Sequence, residues 1–265
     1  MGVKKIFFLL IVISTAASAQ QTNRPEDASG KYEIILDSTA FSNINTFEQH
    51  WNYFYPWGTE HNGSARMYKK QITLTKSVLQ LKASPVAKAE GKSKHDPFLA
   101  IRYHSGAVHA RQHITVTKEH PEYIVSGEFK APIAAGTWPA FWLTAVNGWP
   151  PETDILEFKG DDVNWQNTFI TPKAVTTIKK RVPDAHQQWH TYTAVLQHVD
   201  DEKTLITYYI DGEKLGTHDS NFTNKPLWLI VNLQMEGSSG PEGPENETTY
   251  FARKITVKRT NATIN

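Results

Sequence analysis

Short runs in which apolar and polar residues alternate recur along the chain, separated by turn residues, while stretches with helical spacing are scarce. Residues 122–132 (EYIVSGEFKAP), 137–146 (TWPAFWLTAV), 152–160 (ETDILEFKG) and 167–174 (NTFITPKA) each read as a strand. The series continues through 190–199 (HTYTAVLQHV), 204–210 (TLITYYI), 227–235 (LWLIVNLQM) and 250–260 (YFARKITVKRT). A period of two sends successive side chains to opposite faces, so each run offers one face to a core. Asp211-Gly212, just after the 204–210 run, is a hairpin signal, because the tight turn joining antiparallel strands needs positive φ. Strands this frequent, with turns between them, predict an all-β antiparallel sandwich or barrel. Residues 88–97 and 236–248 read as loops of one domain, and no internal repeat is present.

The N-terminus follows a different pattern. Lys4 and Lys5 precede an apolar run from Ile6 to Ile13, and the small residues Ala17-Ser18-Ala19 follow. That order predicts a secretory signal peptide over 1–19, leaving one domain over 20–265 and a secreted or periplasmic product. The run is too short to cross a bilayer, which takes roughly 20 apolar residues. With 28 Lys+Arg against 27 Asp+Glu, bulk charge favours neither nucleic acid nor an anionic membrane. Cysteine is absent, so the core has to stabilise an exported fold without disulfides. A monomer is expected. The 8 Trp, 10 Tyr and 12 Phe make the chain rich in aromatics; many belong to the core, and Trp and Tyr also stack on the apolar faces of sugars, which points to a carbohydrate ligand. Residues 51–67 (WNYFYPWGTEHNGSARM) are aromatic but poorly alternating, which suits either a loop packed on a sheet edge or a binding loop in which Trp57 offers a stacking face.

The 152–160 run holds the candidate chemistry. Glu152, Asp154 and Glu157 lie within six positions of one strand. In regular alternation Glu152 and Asp154 share a face and Glu157 points away. One extra residue at 155–156, a β-bulge, would bring all three to one face. Like charges held together cannot all ionise at once, so at least one carboxyl there should hold its proton unusually tightly. A protonated acid beside an ionised one is what glycosidic cleavage requires, with carboxyl groups about 5–5.5 Å apart for a retaining mechanism. The rival reading is a solvated edge strand whose acids block aggregation. Trp138, Trp142 and Trp149 just upstream favour a sugar cleft.

Residues 136–158 (GTWPAFWLTAVNGWPPETDILEF) resemble the signature of glycoside hydrolase family 16, in which a Trp-Pro-Ala-Phe-Trp strand precedes a Glu-x-Asp-x-x-Glu strand. Weaker likenesses lie in YHSGAVHA (103–110), YIVSGEFKAPIAAG (123–136), the Trp189-His190 strand with its Asp-Gly hairpin, and the 227–235 strand. The resemblance implies a concanavalin- or lectin-like jelly roll with an open concave cleft. It also implies retention at the anomeric carbon, with Glu152 as nucleophile, Glu157 as acid/base and Asp154 tuning the nucleophile. Trp138 and Trp142, with Trp149 and Trp57, would bind sugar. The substrate expected first is a β-1,3 or mixed 1,3-1,4 glucan, and second a galactan of the agar or porphyran type. A lectin-like binding module without chemistry and a transglycosylase are the alternatives. The chain departs from the family in two places: the strand after the acids (WQNTFITPKA) lacks a common histidine, and Glu236 stands where laminarin-cleaving members carry glycine.

Other chemistries find less support. The pairs His109/His113 and His186/His190 lie in no helical pattern and lack a third ligand, so zinc is not expected. No Gly-x-Ser-x-Gly elbow or phosphate-binding loop occurs. No cofactor is required by the proposed chemistry, and although the family often carries a structural calcium, no acidic loop identifies one here.

Overall fold

The computed structural model describes residues 32–260, so the leader expected over 1–19 lies outside the described residues. Strands are numbered along the chain, and they form two sheets. The larger contains β1 (Glu33–Leu36), β3 (Ala65–Met67), β4 (Ile72–Thr75), β5 (Val78–Pro85), β6 (Tyr103–Ser105), β8 (Glu122–Lys130), β13 (His190–His198), β14 (Thr204–Ile210), β15 (Glu213–Ser220) and β17 (Thr248–Arg259). The smaller contains β2 (Trp51–Tyr53), β7 (Ala107–Ala110), β9 (Thr137–Ala145), β10 (Glu152–Glu157), β11 (Val163–Thr171), β12 (Ala174–Arg181) and β16 (Leu227–Met235). Pairing is antiparallel except for β3 with β6. Side by side, the smaller sheet runs β12-β11-β10-β9-β16-β7-β2. This is the all-β sandwich that the alternation predicts.

Aromatic rings from the two sheets meet between them. Phe129 on β8 lies 4.8 Å from Phe141 on β9, 5.6 Å from Tyr250 on β17 and 6.0 Å from Tyr192 on β13. Strand β9 is central in its sheet and buried on both faces, which is why its sequence is so apolar. Asp211 and Gly212 adopt φ of 51° and 82° between β14 and β15, as the hairpin signal requires. One predicted strand is displaced: β11 starts at Val163 and ends at Thr171, so the 167–174 run crosses a turn at Pro172-Lys173 into β12. Proline removes a ladder donor, and the chain turns there instead of continuing the strand. Within 51–67, β2 and β3 take the two ends and the loop between them carries Trp57.

Candidate active site

The acids owe their placement to a change of register. Along β10, Glu152 pairs with Thr144, Thr153 with Leu143 and Asp154 with Trp142; then Leu156 pairs with Phe141 and Glu157 with Ala140. Ile155 has no partner and is the extra residue of a β-bulge. Leu143 and Phe141 are fully buried in the core, so Thr153 and Leu156 opposite them face inward. Thr144, Trp142 and Ala140 line a cleft on the outer face, and Glu152, Asp154 and Glu157 line it with them. The inward Thr153 hydroxyl lies 2.5 Å from Tyr208 Oη on β14, tying the bulged strand to the sheet behind it.

Each acid has its own partners. Trp149 Nε1 donates to Glu152 Oε2 at 2.9 Å. Trp138 Nε1 donates to Glu157 Oε1 at 2.7 Å, and Lys159 Nζ lies 3.0 Å from Glu157 Oε2. The Asn167 amide bridges Asp154 Oδ2 at 2.8 Å and Glu157 Oε2 at 2.7 Å, and its own carbonyl is held by the Thr177 hydroxyl. An amide with its carbonyl occupied has only donors left to aim at the acids. Burial, reinforced by the Glu157 charge, pushes Glu152 up to about 8. Burial, followed by the charges of Glu157 and Glu152, holds Asp154 well above the usual carboxylate range. Glu152 therefore carries a proton at neutral pH, beside a Glu157 that accepts three donors.

The cleft measures ≈ 740 Å³. Trp138 and Trp142 form its floor and are nearly covered, and Trp142 Nε1 donates to Asn232 Oδ1 at 2.7 Å. The accessible indole faces are those of Trp57, 40% exposed, and Trp149, 50% exposed. Trp57 is backed by Tyr55, stacked at 5.2 Å, whereas Trp149 stands 5.6 Å from Phe169. All seven residues singled out in the sequence thus line one cleft. Asn167, Lys159, His61 and His95 line it too and were not singled out. Asn167 had a signal, since it occupies the strand where the family's histidine is missing. His61 had none: it reaches the site from a loop and stacks on Trp142 at 5.9 Å. Burial, with the nearby His95, lowers it to about 4, so it presents a neutral ring.

Glu236, the second departure, keeps a glycine-like backbone at φ 57° and ψ −146°. Its buried carboxylate holds Arg102, whose Nε and Nη2 lie 2.9 and 2.5 Å from Oε2, and accepts from Gly243 N at 3.2 Å. Among the described residues no group of three metal-ligating side chains converges, and His109 is engaged by Asn52 and the Phe54 carbonyl. No helix of the described residues is long and apolar enough to cross a membrane.

A two-sheet jelly roll with a tryptophan-lined cleft and three acids on one wall defines a glycan-cleaving class. The model of "Glycosyl hydrolases family 16" matches residues 67–252, and the chain belongs to that family of glycoside hydrolases. It is 47% identical over 229 residues to a galactan endo-beta-1,3-galactanase of Flammulina velutipes, covering 85% of this chain and 90% of the relative. Among solved structures, an endo-1,3-beta-glucanase from Streptomyces sioyaensis superposes with a TM-score of 0.68 at 20% identity, over 88% of this chain and 98% of that one. The endo-beta-1,3-glucanase from Pyrococcus furiosus gives 0.67 at 17% identity, over 89% and 97%. At such identities the structural likeness speaks to fold. The chain is an endo-acting glycoside hydrolase.

Proposed function

We propose that this protein is an exported endo-β-1,3-galactanase working by double displacement, with Glu152 as nucleophile and Glu157 as acid/base. The observation that carries the substrate is the 47% identity to a galactan endo-beta-1,3-galactanase across nearly the whole of both chains. It moves galactan ahead of glucan, the order the sequence motifs had reversed. Export is supported by the leader pattern at 1–19.

In the proposed reaction the Glu152 carboxylate attacks the anomeric carbon while Glu157 gives its proton to the departing oxygen. Water, deprotonated by Glu157, then opens the glycosyl ester on Glu152, so configuration is retained. Part of what raises Glu152 is the Glu157 charge. Placing the shared proton on Glu157 removes that repulsion, so the form with a charged acid/base converts directly into one with an ionised nucleophile. Asp154, linked to Glu157 through Asn167, keeps a proton close to both. A lectin-like module would have no use for this set.

The test is a panel of neutral β-1,3-galactan, β-1,3-glucan and mixed-linkage glucan, read as new reducing ends, with product anomers followed by NMR. Galactan is expected to be cleaved fastest with the β-anomer first, and Glu152→Gln to lose on the order of 10³-fold or more in kcat. Preferential cleavage of glucan would overturn the substrate, and inversion would overturn the mechanism.

A further inference from the structure

Past Glu157 two lysines gather around Trp165. Lys159 lines the cleft beside Glu157, and its Nζ stands 4.9 Å from the centre of the Trp165 ring. Lys179 on β12, directly opposite Trp165 in the ladder, holds its Nζ 3.5 Å from the same centre. Alternation along β11 puts Trp165 on the face of Asn167, whose amide bonds the acids, so the cluster extends the cleft outward. The neighbouring cations of β12 are neutralised: Lys180 binds Glu213 at 2.9 Å and Arg181 binds Asp162 at 2.7 Å. Among the described residues no carboxylate pairs with Lys179, whereas Lys159 is held by Glu157 at 3.0 Å and its charge also acts on Glu152 and Asp154.

The acids balance Lys159, so Lys179 keeps an ammonium over Trp165 that no carboxylate of the described residues neutralises. An anion beside the indole would accept from Lys179. With 28 Lys+Arg against 27 Asp+Glu in the whole chain, this local excess is not a reflection of bulk charge. We infer that Lys179 and Trp165 form a subsite for an anionic substituent, a carboxylate or a sulfate ester, on the glycan chain lying in the cleft. The inference rests on the galactanase reading and refines it: the preferred polymer is an acid-bearing galactan.

The experiment compares galactan bearing uronate groups with the same polymer after carboxyl reduction, for wild type and Lys179→Ala. A sulfated galactan forms the second arm, and plain against carboxymethylated β-1,3-glucan the third. For wild type, kcat/KM on the uronate polymer should exceed that on the reduced polymer about five-fold, a size suited to charge-assisted contacts at a partly exposed site. Lys179→Ala should bring the ratio below about two-fold, and so should about 0.5 M salt, where screening acts within a few ångströms. Retardation of the Glu152→Gln protein in gels containing each polymer reads the same preference without turnover. Preference for uronate alone or sulfate alone supports the subsite and identifies its anion. Equal handling of charged and neutral polymers by wild type overturns it, as does a preference that survives Lys179→Ala. If only glucans are cleaved, the galactan reading fails while the carboxymethyl arm still decides the subsite.

Discussion

At the residue scale the site is governed by where protons reside. Glu152 takes up its proton at about 8 in the folded protein against 4.5 for a free side chain. The folded state thus binds that proton more tightly than the unfolded chain. Its contribution to stability is full below 4.5 and is lost as pH rises towards 8. Thermal midpoints should therefore fall between about pH 5 and pH 9, and Glu152→Gln should flatten the decline. In the same window kcat/KM should drop as the last proton leaves the acid pair, with its midpoint near that value. A profile flat up to pH 10 would contradict the proton sharing. Glu236 offers a separate check. Its backbone conformation costs on the order of 1–3 kcal/mol for a residue with a Cβ, and here the Arg102 and Gly243 contacts enforce it. Both Glu236→Gly and Glu236→Ala lose those contacts, but only alanine keeps the strain. Denaturant titration should rank wild type above glycine and glycine above alanine, the last two about 1 kcal/mol apart.

At the scale of the element, one unpaired residue decides which way an acid faces. With Ile155 as the extra residue, Glu157 stands opposite Ala140 in the cleft; plain alternation would have turned it into the core. Register gives an asymmetric prediction. Inserting one alanine between Ile155 and Leu156 restores alternation, but it moves Glu157 from Ala140 to Trp138, two residues along β9, and should abolish turnover. Deleting Ile155 leaves Glu152, Asp154 and Glu157 at regular two-residue spacing on one face, so it should retain measurable activity despite the loss of a buried side chain. Reducing-end assays on folded protein, checked by circular dichroism, distinguish the two; equal loss in both would show that keeping Glu157 opposite Ala140 is not what matters.

At the scale of the molecule, two sheets packed through Phe129, Phe141, Tyr192 and Tyr250 form the platform, and the cleft crosses the outer face of the smaller one. In a chain with no cysteine, that packing takes the place of covalent staples. The exposed indoles of Trp57 and Trp149 are carried by different segments, with the acids also on the cleft wall. Stacking at either end helps a long chain more than a short one. Trp57→Ala should raise KM for polymer several-fold while changing kcat/KM for a short oligosaccharide much less, since one sugar–indole contact contributes on the order of 1 kcal/mol. Steady-state kinetics on both substrates test this.

Alternation along the chain, read by itself, determined the all-β class, most of the strands, the Asp211-Gly212 hairpin and the trio of acids. Those features depend on near neighbours in sequence, and local spacing encodes them. The tertiary structure decided what depends on distant segments meeting. Asn167 bridges two acids only because β11 pairs with β10; His61 and Trp57 reach the cleft from a loop about 80 residues before Trp142. Lys179 faces Trp165 only through the β11–β12 ladder. The acid spacing left two facings open, and pairing with β9 chose between them, because burying Leu156 against Phe141 leaves Glu157 only the cleft.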